Sequence, residues 1–112
     1  MTLAFGEVVL IRMQFHQARG AKIRQALVLL DARDDDFVAA PITSQSRHTD
    51  YDLMLGDRRE AGLNVVSCVR VHELTVLAKT DVARSVGMLS DRDGELVRKV
   101  LCRVFCPRVS VL

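Results

Sequence analysis

Two short apolar runs on either side of an acidic turn leave this chain few folds to choose from. Gln25–Leu30 is apolar after its first residue, and Phe37–Ile42 is apolar throughout. Each has the length of one strand, and Asp31-Ala-Arg-Asp-Asp-Asp36 between them has the composition of a turn. Folded about that turn, the runs form an antiparallel hairpin. With Leu30 opposite Phe37, Val28 faces Ala39, Ala26 faces Pro41 and Arg24 faces Thr43. Directly opposed side chains stand about 5 Å apart on one face. Two polar residues distant in sequence thus meet at the open end of an otherwise apolar hairpin. A slip of one residue would send them to opposite faces. The first register is expected, because both polar residues then leave the core at the same end.

The rest of the composition suits a sheet. Apolar residues make up 49% of the chain and aromatic ones only 4%, with no Trp, so the core is aliphatic and built from Val and Leu. β-Branched residues favour strands. The 112 residues are expected to form a single domain over 1–112. A chain of that size buries about two-thirds of its unfolded surface and needs no metal or disulfide to hold it. The three cysteines are odd in number and irregular in spacing. Val8–Ile11 follows Glu7 and is too short for a signal peptide, and no run approaches the roughly 20 apolar residues of a membrane span. A reduced, soluble, cytoplasmic protein with no membrane association is expected. The formal net charge of +2 permits a nucleic-acid partner without requiring one.

In chain order, Phe5–Met13 reads as a first strand, apolar on both faces through Val8–Ile11. Residues 15–22, with His16, Arg19, Gly20 and Lys22, read as a loop. After the hairpin come a polar loop over Ser44–Asp50, a short strand over Tyr51–Leu55 and a loop over Gly56–Gly62. Asn64–Leu74 reads as one long strand with Val66, Cys68, Arg70 and His72 on one face, continued by Leu74–Leu77. Arg84–Leu89 is a last short strand. Ser90 is set to cap a helix, with Asp91 and Asp93 in the first turn, where the helix dipole favours negative charge. Leu96, Val97, Val100, Leu101, Val104 and Phe105 recur at threes and fours as one apolar stripe. Pro107 ends the helix, and Arg108–Leu112 is left as an edge strand or a tail. Many short strands with one terminal helix imply a mainly β, α+β fold: a small, strongly curved antiparallel sheet.

Most candidate chemistry has a plainer reading. Asp34, Asp35 and Asp36 are contiguous, as turn acids are. Cys68 and His72 on one strand would stand roughly 13 Å apart, too far to share an ion. Cys102 and Cys106 share a helix face but make only one pair, and read as buried structural thiols. Nothing in the sequence lowers the Cys68 thiol pKa to make it a nucleophile beside His72. No metal or cofactor is expected. The corner of Arg24 and Thr43, with Arg70 and His72 on a later strand, is different. A guanidinium is a planar fork suited to phosphate oxygens, a hydroxyl beside it can bond the same group, and Arg19 and Lys22 lie close in sequence. This equips a site for a phosphodiester.

Five segments in order carry a resemblance: Gly6-Glu-Val-Val-Leu, Lys22-Ile-Arg-Gln-Ala-Leu-Val-Leu, Ala40-Pro-Ile-Thr-Ser44, Ser67-Cys-Val-Arg-Val71, and Val86-Gly-Met-Leu-Ser90 with its helix. Together they resemble the PemK/MazF family of toxins from toxin–antitoxin pairs. The resemblance implies a Src-homology-3-like barrel that pairs as a homodimer. It also implies a metal-independent, sequence-specific endoribonuclease that cuts single-stranded RNA, usually mRNA. The family's Arg in Lys-x-Arg-Pro falls on Arg24, its Thr after Ala-Pro-Ile on Thr43, and its later Arg on Arg70. Gln25 replaces the usual Pro and adds an amide that can touch a base. His72 stands where many members carry Asp, which removes a carboxylate acceptor. His16, Arg19, Lys22, Gln25, Ser44 and Arg70 are the implied RNA contacts, and Arg24, Thr43 and His72 the implied catalytic set.

In the implied mechanism the 2′-hydroxyl attacks its own phosphate, leaving a cyclic phosphate and a free 5′-hydroxyl. Arg24 would stabilise the charge on phosphorus and Thr43 would orient a phosphate oxygen. The base is His72 or His16, and the sequence does not choose. The implied partner is an antitoxin whose acidic, extended segment lies in the RNA groove. The competing class is a degenerate toxin-like domain that binds RNA or a protein without cleavage. Its gyrase-poison version relies on a C-terminal Trp, which this chain lacks.

Overall fold

The computed structural model describes residues 1–14, 21–45 and 48–106. The sequence readings of His16, Arg19, Pro107 and the last five residues lie outside that range. Among the described residues seven strands form one antiparallel sheet: β1 (Glu7–Gln14), β2 (Ala21–Asp31), β3 (Asp36–Thr43), β4 (Asp52–Met54), β5 (Cys68–Arg70), β6 (Thr75–Ala78) and β7 (Val82–Met88). One helix, α1 (Asp91–Phe105), follows. Strand order is β4-β5-β3-β2-β1-β7, with β6 also on β3, so the sheet is open, with no closing ladder among the described residues. This is the mainly β architecture with a C-terminal helix that the sequence implies. No helix among the described residues is long and apolar enough to cross a membrane.

The hairpin keeps the expected register over most of its length. Ala26 faces Pro41 and Val28 faces Ala39, and the ladder ends at Gln25 opposite Ile42. A bulge between Val28 and Leu30 shifts the turn end, so Leu30 faces Val38 and not Phe37, while Asp31 faces Phe37. A bulge re-aims the residues beyond it. Here the Asp31 carboxylate accepts from the Leu3 and Arg33 amides at 2.8 and 2.7 Å and pairs with Lys79 Nζ at 2.8 Å.

Alternation along β1 and β2 buries both faces of the sheet. Val8 and Leu27 join Ala40, Ile42, Val69, Val97 and Val100 under α1. Val9, Ile11, Ala26 and Val28 join Leu3, Phe37 and Ala39 on the other side. Ser90 caps α1, its hydroxyl oxygen accepting from the Asp93 amide at 3.1 Å. Of the stripe, Val97 and Val100 are buried, but Phe105 is 52% exposed at the helix end, beyond the sheet it was expected to cover. Cys102 and Cys106 are exposed too, so only Cys68 is a buried thiol. The Cys106 thiol is pushed up by its hydrogen bond with Cys102.

The long strand expected over Asn64–Leu74 is broken into β5, a 3-10 turn over Val71–Glu73, and β6. Two contacts fix the break. The Val71 amide donates to the Tyr51 carbonyl, and Arg70 pairs with Glu73 three residues on, the spacing that eclipses side chains in a 3-10 turn. Val66 is exposed, so it does not share a buried face with Cys68. The strand expected over Tyr51–Leu55 shortens to β4.

Candidate functional site

The open end of the hairpin is where β2 and β3 part. Beyond the last rung, Arg24 pairs with Ile11 of β1, and Thr43 pairs with Cys68 of β5. A cavity of about 490 Å³ opens near this end. Leu10, Ile23, Pro41 and Ile42 give it apolar wall; Arg24, Gln25, Thr43, Ser44, Arg70 and Glu73 give it polar wall. Across the Thr43–Gln45 segment lies a smaller hollow of about 170 Å³, reached by Asp52, Met54 and Val66.

Each polar wall residue has a distinct condition. Arg24 is exposed and, among the described residues, has no ion-pair partner, so its guanidinium is available to an incoming anion. The Thr43 hydroxyl oxygen accepts from the Gln45 amide at 3.1 Å, an ST-turn that fixes the side chain without using the hydroxyl proton. Arg70 is engaged on every side. Its Nε donates to Asp52 Oδ1 at 2.9 Å, its Nη1 to Glu73 Oε1 at 2.9 Å, and its Nη2 lies 3.4 Å from His72 Nε2. Burial pushes the Asp52 carboxyl up, but bonds from Thr49 and Arg70 outweigh it and hold the group below the usual carboxylate range. Asp52 in turn raises Arg70 above its already high value.

His72 touches this frame from outside the cavity. It sits in the 3-10 turn, with its ring 5.5 Å from that of Tyr51, and its Nδ1 is buried without a hydrogen-bond partner. Five of the expected residues, Arg24, Gln25, Thr43, Ser44 and Arg70, therefore share one wall, while Lys22 and His72 are not on it. His16 and Arg19 fall outside the described residues. Among the described residues no three His, Cys, Asp or Glu side chains group as a metal site.

Over residues 4–105 the chain matches the family model described as PemK-like, MazF-like toxin of type II toxin-antitoxin system. The chain belongs to that family. Solved structures share its fold. An endoribonuclease in complex with its cognate antitoxin, from a mycobacterial species, superposes with a TM-score of 0.74 at 15% identity, covering 96% of this chain and all of the other. The Mycobacterium tuberculosis toxin MazF-mt6 gives 0.69 at 19%, covering 90% of this chain and 99% of that one. A MazE-MazF structure from Deinococcus radiodurans gives 0.73 at 19%, covering 89% and 92%. No curated protein matches the chain.

The toxin's site holds residues that sequence reasoning passed over. Asp52 and Glu73 bracket Arg70, and Gln45 follows the Thr43-Ser44 pair. The signal for Glu73 was present, since Arg70 and Glu73 are opposite charges three apart. It stayed hidden because a strand puts residues three apart on opposite faces, and the segment was read as a strand. Asp52 carried no signal: its pairing with Arg70 depends on β4 meeting β5.

Proposed function

We propose that this toxin is an endoribonuclease that cuts single-stranded RNA, usually mRNA at a short sequence, by attack of a 2′-hydroxyl on its own phosphodiester. The observation that carries the reading is the presence, on the wall of one cavity, of Thr43 with a fixed hydroxyl and of Arg24, an exposed guanidinium with no ion-pair partner among the described residues. Arg24 donates to the non-bridging oxygens as negative charge grows on them. Thr43 uses its remaining proton to orient the same group. Gln25 and Ser44 offer amide and hydroxyl groups to the base edges of a splayed strand, which is how single-stranded RNA is read. Lys22, with His16 and Arg19 before it in the sequence, serves the phosphates on either side. His72, through its contact with Arg70, positions the wall.

The test is incubation of pure protein with a long single-stranded RNA in EDTA, followed by sequencing of the cleaved ends. Defined fragments ending in cyclic phosphate and 5′-hydroxyl are expected. Arg24→Ala should lower the rate by about 10² to 10³ with an unchanged fold, since the residue is exposed. Full activity in that variant would overturn the assignment. A second reading, binding of RNA or a protein without cleavage, draws on Arg70, which is already saturated by two carboxylates. In the same assay it gives retained RNA and no fragments. Two of the solved structures are complexes with an antitoxin, and we assign this toxin the same kind of partner. Its acidic segment competes with RNA for Arg24, and the toxin pairs as a cytoplasmic homodimer.

A further inference from the structure

We propose that Glu73 is the proton acceptor of this site, taking the 2′-hydroxyl proton as the strand is cut. The proposal rests on the ribonuclease reading above. That reaction needs a base, and the other candidates among the described residues around the cavity are occupied or misplaced. A guanidinium has no acceptor lone pair, which removes Arg24 and Arg70. The Thr43 oxygen already accepts from the Gln45 amide. His72 is not on the cavity wall; its Nε2 faces the charged Arg70 Nη2 at 3.4 Å, and its Nδ1 is buried.

Glu73 stands on the same wall as Arg24 and Thr43, and its side chain is 46% exposed. Arg70 Nη1 holds Oε1 at 2.9 Å, leaving Oε2 outside that bond. Asp52, whose side chain is almost wholly buried, holds Arg70 Nε from the other side. The guanidinium is thus a fixed bridge, and the exposed carboxylate at its far end is aimed rather than loose. The 3-10 turn supplies the geometry, bringing the residue three after Arg70 back to its side.

In the step, the O2′–H bond breaks and its proton passes to Glu73. The O2′–P bond forms, the P–O5′ bond breaks, and the leaving oxygen takes a proton from water. Glu73 then returns its proton to solvent, so the products are a 2′,3′-cyclic phosphate, a 5′-hydroxyl and unchanged enzyme.

The experiment compares the full-length wild type with Glu73→Gln, Glu73→Asp and Glu73→Ala on a long single-stranded RNA, with affinity read on a 2′-O-methyl analogue that cannot be cut. Glu73→Gln should lose about 10² to 10⁴ in rate while binding the analogue as tightly or more tightly. Its residual rate should rise about tenfold per pH unit as hydroxide replaces the missing base, where the wild type levels off. Glu73→Asp should keep part of the rate, and added formate should restore part of it to Glu73→Ala, which a merely structural carboxylate would not allow. The loss should exceed that of His72→Gln. A Glu73→Gln variant that cuts like wild type, weakens binding in step with rate, or keeps the wild-type pH profile overturns the proposal alone. A wild type that leaves the RNA whole overturns the ribonuclease reading and the proposal with it.

Discussion

Asp93 should carry more of this fold's stability than any other polar side chain of the helix. It is wholly buried in the first turn of α1, and its two oxygens accept from the Gly56 and Asp57 amides at 3.1 and 2.8 Å. Asp57 returns the contact, its carboxylate accepting from the Ser90 hydroxyl at 2.6 Å. Asp93→Ala therefore leaves two amide donors without partners, each costing about 1–3 kcal/mol when buried. It also removes negative charge from a helix N-terminus, worth about 0.3–1 kcal/mol. The loop is partly exposed and water can reach it, so the sum falls toward the lower end, about 2–4 kcal/mol. For a chain of this size that lowers Tm by about 8–16 °C, read by circular dichroism melting with urea unfolding as the check. Asp93→Asn keeps one acceptor and should lose about half as much. Ser90→Ala combined with Asp93→Ala should cost less than the two separately, because both act through Asp57. An alanine variant that melts within about 2 °C of wild type, or an asparagine variant as weak as the alanine one, would refute the claim that two amide bonds are what Asp93 supplies.

Two further outcomes follow from packing and charge. Gly87→Ala places a methyl 2.3 Å from the Ala61 carbonyl carbon, where only backbone can give way, so it should destabilise by more than the ordinary surface limit of about 0.5 kcal/mol in urea unfolding. Asp31 is held far below its ordinary value of 3.8 by the Leu3 amide first and the Lys79 ammonium next. Its folded pKa lies below its unfolded one, so its contribution is complete above about pH 4 and fades as pH falls through and below that value. Asp31→Asn should flatten the acid limb of the stability curve there and leave its shape near neutrality unchanged; an equally steep acid limb in the variant would assign acid unfolding elsewhere.

What the sequence disclosed and what it concealed follow from range. The hairpin was legible because its apolar runs, its turn and its register are all local, and the register is right wherever the two strands alternate without interruption. It fails beyond the Val28–Leu30 bulge, where the Asp31 carboxylate reaches Leu3 and Lys79, residues far away in the chain, and at the open end, where the ladder stops at Gln25 and Ile42 and the expected Arg24–Thr43 pair is not formed. The helix was legible from Ser90, Asp93 and the Val97–Val100 spacing. The segment after Ser67 was not. Valine at alternate positions gives a strand pattern, and it is the Tyr51 carbonyl and the Arg70–Glu73 pair that turn the backbone into a 3-10 turn. That one misreading hid Glu73 and moved His72 off the wall, so the placing of Arg24, Gln25, Thr43, Ser44 and Arg70 near one another could be read in advance and that of Glu73 could not.

The cavity sits where the β2–β3 ladder ends. β3 is claimed twice, by β6 along Asp36–Ala39 and by β5 at Ile42 and Thr43, while β2 runs on along β1 as far as Ala21. After Gln25 and Ile42 the β2–β3 ladder has no further rung, while each strand keeps the neighbour on its other edge. Arg24 and Thr43 are therefore held by backbone ladders on their outer sides although no rung joins them. Such an arrangement places Arg24 and Thr43 on the wall of one cavity. It also explains why polar side chains can line the interior edge of an apolar sheet at small cost. They stand where the ladder has already ended, and water or a phosphate can satisfy them.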